Sequence, residues 1–438
     1  MVFTNNVVKQ EKPINNRFYQ RVAKYCFLLT ITTGLSLQTV ASEDERSRYL
    51  TLSDAIQRTF NHNPELQTFQ FQLEAHQGKI VQAELSPKPE IELSIEDALG
   101  TGDLKGFSNA QTTLSVSWIL DQSIKEKRAS LAVQGKMLVE SEKAIKRLDS
   151  ATQTARFFLK TLSLQESSVI ASRAIALAKE TVNEVNSRVK AGKTPSAELY
   201  RAEAELAKRE LVLVDLKHKR ESSIRQLAAQ WGETSPTFKS VSGTFASRPE
   251  VVSFIALKNL IDQNPRLDKY LSVERIREAE LTLAREERRP LWQFKTGLRR
   301  IEATDDYGLV TSVSIPYGGS NRNQGRIAQV RANISQNQSE AEALRIRIET
   351  SLYVVYQQLQ RNLHLSDILK KDIIPRLEKA LTSTQKAYEL GKYSYLEWRA
   401  VQNELLDAQS ALLEANLAAH LNRLEIERLT GAQITSTF

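Results

Sequence analysis

Cysteine and histidine are scarce in this 438-residue sequence, which has one Cys and five His. The histidines are scattered, and no two have the i, i+4 spacing of a helical metal site: His62, His76, His218, His364 and His420. Gly-rich phosphate loops, nucleophile elbows and metalloprotease helices are also missing from the sequence. We therefore expect no catalytic residue, no metal site and no cofactor, and we predict that the protein is not an enzyme.

Long hydrophobic runs and a strong charge imbalance are missing as well. The chain is 41% hydrophobic and 26% charged, a composition that excludes both a disordered chain and a bundle of membrane-spanning helices. Half of the net charge of +8 lies in residues 1–42, so the rest of the chain has a surface of mixed sign. This distribution gives no reason to expect a nucleic-acid partner.

The N-terminus accounts for the local charge and for the single cysteine. A basic stretch, "RFYQRVAKY", leads into "CFLLTITTGLSLQTVAS", which is too short and too rich in Ser and Thr to span a bilayer as a helix. We predict a secretory signal peptide over residues 1–42, cleaved after Ala41 or Ser42. The alternative is a frayed N-terminal helix. Cleavage would remove Cys26, which lacks a lipoprotein box, so neither disulfides nor a lipid anchor are expected.

The chain carries the same landmarks twice. Asn63-Pro64 and Asn264-Pro265 lie about 200 residues apart, and so do Gly192 and Gly391, each of which precedes a lysine. A stretch rich in Gly, Pro, Ser and Thr separates the two halves. We predict a tandem duplication with the following bounds: first repeat 43–232, linker 233–250, second repeat 251–438.

Each repeat contains a stretch of about seventy residues that is nearly free of helix breakers. Residues 122–190 contain no proline, and residues 320–390 contain only Gly325 and Pro375 as Gly or Pro. Such stretches predict very long helices. After the Gly-Lys pairs a second helix returns with an apolar seam of coiled-coil spacing, and Thr194-Pro195 is expected to cap the first of these. The Gly-Lys pairs are therefore expected at the tips of two long helical hairpins.

Two segments of each repeat alternate apolar and polar residues with period two: 90–97 and 112–120 in the first, 291–302 and 307–317 in the second. Segments of nine to eleven such residues with aromatics near their ends are typical of membrane-spanning strands, and soluble hairpins with one solvated face are the alternative. If these segments are membrane-spanning strands, their apolar residues contact lipid, and Ser312 and Ser314 face the lumen. The lipid-facing set includes Leu114, Val116, Val313 and Ile315.

Four strands are too few for a barrel in the membrane. A sheet surrounded by hydrocarbon must close, because its edges would otherwise lack hydrogen bonds. Since the smallest such barrels have about eight strands and are filled by side chains, a conducting pore needs at least three chains. The predicted fold is therefore mainly α with transmembrane β: two tandem repeats, each a coiled-coil helical hairpin with two barrel strands.

Three motifs, in this order, resemble the TolC-like outer-membrane efflux proteins: "LTLSDAIQRTFNHNPEL", "SVSIPYGGSNRNQGRIAQVRA" and "YELGKYSYLEWRAVQNELL". The first looks closest to the CzcC-type branch, which serves heavy-metal and cation pumps. The resemblance covers nearly all of the chain after the signal peptide. It implies a homotrimeric α/β barrel tunnel with twelve strands in the outer membrane. The tunnel would cross the periplasm and meet a periplasmic adaptor protein and an inner-membrane pump, of the RND or ABC class.

The resemblance also implies roles for residues near the tips. Gly192, Lys193, Gly391 and Lys392 would meet the adaptor. Acidic residues six positions after each Gly, Glu198 and Glu397, would take part in a gate, with Glu198 bonded to Tyr388 and Glu397 forming a ring. The family's second ring acid and its arginine are replaced here by Ala400 and Tyr393, so only some of the residues that close the family's entrance are present. Helix-dipole stabilisation by the two glutamates is the competing interpretation.

The function implied is passive conduction of metal cations or small toxic compounds through a gated tunnel, as the outer channel of a tripartite efflux system. Two alternatives remain open from the sequence. A type I polypeptide exporter would use the same architecture. A periplasmic coiled-coil adaptor is a weaker alternative, because adaptors typically have one hairpin rather than two with paired strands.

Overall fold

The computed structural model describes residues 49–245, 248–318 and 322–432. The predicted signal peptide lies outside these residues. Within these ranges, none of the helices combines the length and the apolar character needed to cross a membrane.

The elements of the first half are, in chain order: β1 (Tyr49–Leu50), α1 (Leu52–His62), α2 (Pro64–Ala83), β2 (Glu90–Glu96), β3 (Gln111–Leu120), α3 (Gln122–Lys190) and α4 (Ser196–Ala228). The same order recurs in the second half: β4 (Ser240–Val241), α5 (Phe254–Asn259), α6 (Pro265–Glu286), β5 (Trp292–Ile301), β6 (Asp306–Ser314), α7 (Gln324–Ile368), α8 (Ile374–Glu389) and α9 (Tyr395–Thr430). The predicted fold class, two tandem repeats of strands and long helical hairpins, is confirmed.

The two Asn-Pro landmarks perform the same task in both repeats. The Asn63 side-chain oxygen accepts from the backbone N–H of Glu65 at 2.9 Å, and Asn264 does the same for Arg266 at 2.8 Å. Each side-chain amide also donates to a carbonyl near the end of the returning helix, at Gln230 for Asn63 and at Leu429 for Asn264. One residue type thus starts a helix and holds the far end of the hairpin against it.

The long helices follow the prediction with one difference. α3 runs unbroken for 69 residues, about 100 Å at 1.5 Å per residue. Its counterpart is divided, because a π-turn at Leu369–Ile373 separates α7 from α8. Pro375 lies in the first turn after the π-turn and has no N–H to donate, so the backbone shifts its hydrogen-bond pattern there instead of continuing as an α-helix.

The helices lie side by side in the order α4, α3, α9 and then α7 with α8. Their apolar seams face one another as the sequence predicted: Leu227, Leu405 and Leu424 are all buried. A core of α1, α3 and α4 side chains is covered by the segment after α4, which inserts Phe238, Val241 and Phe245. The segment is also held by a parallel pairing of β4 with β1. This covering segment, residues 233–245 and 248–253, packs on the side of the helix layer where Phe245 contacts His420 of α9.

The four longer strands form an antiparallel sheet in the order β2-β3-β5-β6. Leu93, Leu114, Leu298 and Leu309 are paired in one row across it, and all four are exposed in the single chain. The predicted lipid-facing residues Leu114, Val116 and Val313 share this face, whereas Ile315 follows the end of β6. Trp118, Trp292 and Phe294 stack at its helix-side rim, with centroids 6.2 and 6.3 Å apart.

The opposite face of the sheet is polar, and two ion pairs cross it. Lys295 meets Glu92 at 2.6 Å and Arg299 meets Glu96 at 3.0 Å, each across the intervening strand β3. Ser115 is 2% exposed because Gly297, directly opposite on β5, leaves room for the strands to approach. The two faces therefore differ in the way that the period-two pattern predicted.

Alanine at Gly297 is expected to destabilise the sheet. A Cβ there would lie 2.5 Å from the Leu114 carbonyl oxygen and 2.6 Å from the Ser115 Cβ, so the strands would have to separate. Crowding of this kind costs about 1–3 kcal/mol. Gly308, on β6, has no atom within 4 Å of its Cβ position and is the matched control. Urea unfolding in detergent should show a lower midpoint for G297A than for G308A, and equal midpoints would contradict the observed close approach.

Candidate functional site at the hairpin tips

The two tips have the same backbone geometry. Gly192 and Gly391 have φ of 66° and 71°, the left-handed region that favours glycine. At each tip the glycine and the following lysine donate backbone hydrogen bonds to the last turn of the incoming helix. Lys193 and Lys392 are exposed beside them. The predicted docking residues thus form two exposed turns of identical construction at the ends of the hairpins.

The two returning helices begin differently. In the second repeat Ser394 and Glu397 form a capping box, in which the Glu397 carboxylate accepts from the Ser394 backbone N–H at 2.7 Å. In the first repeat the predicted Thr194 cap is wrong: α4 begins at Ser196, after Pro195, without a side-chain cap. Thr194 instead donates to the Glu198 carboxylate at 3.1 Å, because its hydroxyl lies over the first turn and not at the free N–H groups.

Glu397 is exposed, and its carboxylate is already engaged within its own helix. The backbone and hydroxyl hydrogen bonds from Ser394 hold the pKa of the Glu397 carboxyl below its ordinary value. The contribution of this cap is therefore complete at neutral pH and is lost as the pH falls through that lowered pKa. The S-x-x-E spacing of "SYLE" is a recognisable signal of a capping box that the sequence interpretation missed.

Tyr388 is 1% exposed and stacks on Trp398 with centroids 5.1 Å apart. Burial raises the pKa of the Tyr388 phenol, and the nearby Glu198 carboxylate raises it further. The hydroxyl lies close to Thr194 and Glu198, yet it makes no hydrogen bond within 3.5 Å to a described residue. The expected Glu198–Tyr388 bond is therefore not formed in this structure, where Glu198 is bonded to Thr194.

Arg188, near the end of α3, joins the two tips and was not found from the sequence. Its guanidinium donates to the carbonyl oxygens of Tyr388 and Glu389, both at 2.9 Å, and lies 4.8 Å from the centroid of the Tyr388 ring. Both carbonyls lie at the C-terminal end of α8, and that of Tyr388 also accepts from the Gly391 backbone N–H at 2.9 Å. No local pattern signals such a contact, because the two partners are about 200 residues apart.

The exposed side of α9 carries a row of acids, defined here as the acidic row: Glu397, Glu404, Asp407 and Glu414. No ion pair with a described residue involves any of the four. The opposite side of α9 packs under the covering segment, where His420 lies 5.4 Å from Phe245. No group of three His, Cys, Asp or Glu side chains in the described part of the chain could hold a metal ion.

Comparisons with known proteins agree with this architecture. Residues 55–233 match the family described as "Outer membrane efflux protein". The chain is 26% identical over 385 residues to the cobalt-zinc-cadmium resistance protein CzcC of Cupriavidus metallidurans, covering 88% of this chain and 89% of CzcC.

Solved outer-membrane channels share the fold. CusC superposes with a TM-score of 0.71 at 15% identity, covering 91% of this chain and 96% of CusC. VceC of Vibrio cholerae superposes with a TM-score of 0.70 at 17% identity, covering 87% of this chain and 96% of VceC. The open-state MtrE channel of Neisseria gonorrhoeae has a TM-score of 0.68 at 16% identity, covering 88% and 89%.

These relatives are transport conduits, and the resemblance stated from the sequence motifs is confirmed. Channels of this family are trimers that work within tripartite efflux systems. Residues 55–233 thus match the outer membrane efflux protein family, and the similarities together indicate an outer-membrane efflux channel that extends into the periplasm.

Proposed function

We propose that three copies of this chain close into one tunnel that carries metal cations out of the periplasm, supplied by an adaptor protein and an inner-membrane RND pump. The observation that carries the cargo assignment is the acidic row of α9, together with the similarity to CzcC.

The sheet supports ring closure by identical copies. Its edges are β2, from the first repeat, and β6, from the second. Four alternating antiparallel strands leave these edges running in opposite directions, so β6 of one chain can pair antiparallel with β2 of the next. Three chains give twelve strands, enough to leave an open lumen, whereas eight strands would be filled by side chains.

The helix layer has its edges on the same two sides. α4, from the first repeat, is one edge, and α7 with α8, from the second, is the other. α4 exposes a heptad row of Tyr200, Leu211 and Val214, and α7 exposes Ile346 and Tyr353. Closing the sheet brings these edges together between neighbouring chains and removes their apolar side chains from water.

The position of the covering segment indicates which side of the helix layer faces the lumen. An additional layer of chain inside a tunnel would block it, so the segment that buries Phe238 and Phe245 must lie on the outer surface. The acidic row is on the opposite side of α9 and therefore faces the lumen. Repeated in three chains, these carboxylates would attract cations and repel anions along about 25 Å of tunnel.

The cargo can be tested in cells that lack their own metal-efflux outer channel. Cells that express this chain with its pump and adaptor should tolerate higher zinc, cobalt or cadmium concentrations. Cells that express a variant with Gln at all four positions of the acidic row should lose that tolerance while retaining trimers. Unchanged metal sensitivity, combined with export of a polypeptide by a neighbouring ABC exporter, would favour the polypeptide-secretion alternative.

We place the adaptor at the tips: Gly192, Lys193, Gly391 and Lys392. Both turns are exposed, and each carries one lysine that forms no ion pair with a described residue, so reversal of the two charges should disturb docking without altering the fold. K193E/K392E is expected to reduce metal tolerance at least tenfold while trimers persist. Lys239, exposed on the covering segment, supplies the control K239E. Loss of trimers together with tolerance would remove the support for docking.

For the gate, we propose that Glu397 forms the entrance ring, and that Tyr388 with Glu198 supports it from the same chain. E397Q is expected to lower the cation-to-anion permeability ratio in planar bilayers, because three carboxylates near the axis concentrate cations there. E427Q is a matched control, since Glu427 lies at the far end of α9 and pairs with Arg423. An unchanged ratio in E397Q would leave only the capping role of Glu397.

A further inference from the structure

A cavity of about 380 Å³ lies beside the covering segment, on the same side of the helix layer. Helices α3 and α9, the end of α7 and the π-turn after it form its walls, and Phe245 and Pro249 of the covering segment also line it. Both repeats therefore contribute to the cavity. Its volume is in the range of small-molecule sites, about 300–1,000 Å³.

Aliphatic and aromatic side chains line the interior: Ile170, Phe245, Leu363, Leu412 and Leu413. Phe245 and Leu363 are buried, and the other three are half-buried. Removal of a hydrocarbon chain or ring from water onto such a surface is favourable. The interior is therefore suited to the apolar part of a ligand.

Two polar contacts between neighbouring elements hold the walls in place. The Ser366 hydroxyl donates to the side-chain oxygen of Asn416 at 2.6 Å, between α7 and α9. Arg248 pairs with Asp367 at 2.8 Å, between the covering segment and α7. The charge of Asp367 is thus balanced within the protein. A site whose walls are already bonded loses little conformational freedom when a ligand enters.

The two hairpins are level with each other, so positions in different helices can be compared by their distance from the tips. Gln402 donates to Thr181 at 2.9 Å, and the two residues are equally far from Gly391 and Gly192. On this scale the cavity extends for about 15 Å along the helices. Phe245 lies at the end further from the tips, because it contacts His420.

Two cations lie at the other end of the cavity, nearer the tips. Arg173 of α3 and Lys370 of the π-turn are each about 20 residues from the tip of their own hairpin, level with Gln409 of α9. Both are exposed, and neither forms an ion pair with a described residue. Glu166 also lines the cavity without an ion pair to a described residue, about two turns of α3 further from the tips than Arg173.

The π-turn contributes directly to this end of the cavity. Its residue Lys370 and the following Ile374 line the wall, whereas Leu369 is buried in the helix packing. The corresponding long helix of the first repeat, α3, has no such turn. Single π-turns within α-helices are frequent at functional sites. The interruption of the second long helix is therefore explained by a binding role as well as by Pro375.

We propose that this cavity binds an amphipathic anion, a small molecule with an apolar chain and a carboxylate head. The chain lies against Phe245, Leu363 and Leu412, and the carboxylate lies between Arg173 and Lys370. A single chain forms the whole cavity, so the proposal depends neither on the metal cargo nor on the three-chain assembly.

Photo-labelling of the purified full-length protein tests the site. Dodecanoate with a diazirine at its chain end is added to the protein in phosphatidylcholine nanodiscs and illuminated, and labelled peptides are identified by mass spectrometry. The label is expected on peptides that contain Phe245, Leu363 or Leu412, and unlabelled dodecanoate should displace it. Label found only on peptides of the four sheet strands would show that the probe stays in the lipid, and would overturn the proposal.

Charge variants test the recognition of the head group. R173Q/K370Q is expected to raise the probe concentration for half-maximal labelling about tenfold, because two charges that attract the carboxylate are lost. K190Q/K379Q removes two exposed charges of the same hairpins outside the cavity and should leave that concentration unchanged. E166Q should lower it about threefold, since an opposing carboxylate is removed. Equal values for R173Q/K370Q and K190Q/K379Q would contradict the assignment of the head group.

Variants of Leu412 test the apolar interior. L412W fills the cavity and should abolish labelling of the Phe245 and Leu363 peptides, with circular dichroism of the same sample verifying the helices. L412A enlarges the cavity and should remain labelled. Labelling of L412W equal to that of L412A would overturn the proposal.

Two sources of such a ligand can be separated in the same assay. Nanodiscs that also contain phosphatidylglycerol offer an anionic lipid as a competitor. Labelling that persists in them identifies a free amphiphile as the ligand, and labelling that is displaced identifies a membrane lipid; both outcomes support the cavity. The assay needs no metal and no pump, so cells without metal tolerance, combined with labelled cavity peptides, would refute only the cargo assignment.

Discussion

Arginine in place of Leu114 is expected to destabilise the assembled barrel by about 2–4 kcal/mol per chain, because a charge near the middle of the bilayer loses its hydration. Leu114 lies in the central leucine row of the sheet and is 55% exposed in the single chain. If this row faces lipid, the guanidinium is too far from either interface to reach water easily. Urea unfolding of the detergent-extracted or bilayer-folded trimer measures the loss.

Two further arginine variants test how deep a residue lies in the bilayer and which face of the sheet contacts lipid. Val313 shares the apolar face but lies one position from the end of β6, beside Phe294 of the aromatic rim, so V313R is expected to cost less, about 0–1 kcal/mol. Ser312 points to the other face, opposite Lys295, and S312R should leave the lipid contact intact. Equal losses for L114R and S312R would contradict the assignment of the faces.

Glutamate in place of Leu211 is expected to abolish the trimer. Leu211 is 68% exposed in the single chain and lies in the middle of the heptad row on α4. Burial of a leucine contributes about 1.5–3 kcal/mol, and the substitution would also leave an unpaired carboxylate at each of the chain-to-chain contacts. Light scattering of the purified variant should report single chains where the unaltered protein reports trimers.

Lys217 provides the control on the same helix. It is exposed, but helical spacing places it on a different side of α4 from Leu211. K217E changes the charge by two units, more than L211E does, so it controls for charge alone. Trimers that survive L211E as well as K217E would show that the heptad row is not the contact between chains.

The elements that the sequence predicted well are those set by local chemistry. Period-two alternation fixed the two faces of β3 and β5, because successive side chains of a strand point to opposite sides. Asn63 and Asn264 were recognisable as helix caps because the Asn-Pro pair suits both the cap and the first turn. The glycines at the tips were recognisable because few other residues adopt positive φ at a helix end.

The features that the sequence did not reveal depend on partners far away in the chain. Arg188 looks like any basic residue near a helix end until Tyr388 and Glu389 are placed beside it. Thr194 was expected to cap α4 by accepting from its free N–H groups, but it donates to the Glu198 carboxylate instead, since the direction of the backbone before the helix decides which of the two its hydroxyl reaches. The π-turn before Pro375 was not predicted either. It arises because Pro375 has no N–H to donate while the helix continues to pack against its neighbours.

The site itself was predicted only in part. The sequence located the tips and the exposed Glu397, yet it assigned Tyr388 to a bond with Glu198 where the structure shows a buried ring stacked on Trp398. Burial of that ring follows from the convergence of four helices, which no single segment encodes. The sequence does not show which charged residues of α9 are exposed. In the structure the acidic row is exposed, whereas Arg399 of the same helix turns toward Glu205 and pairs with it.

The mass of the protein extracted from the outer membrane tests the central claim most directly. Native mass spectrometry in detergent should give three times the mass of the processed chain, whose first residue should be Ser42 or Glu43. The same preparation should conduct in planar bilayers. A single chain in the soluble periplasmic fraction, with no conductance in bilayers, would contradict the account of a three-chain tunnel.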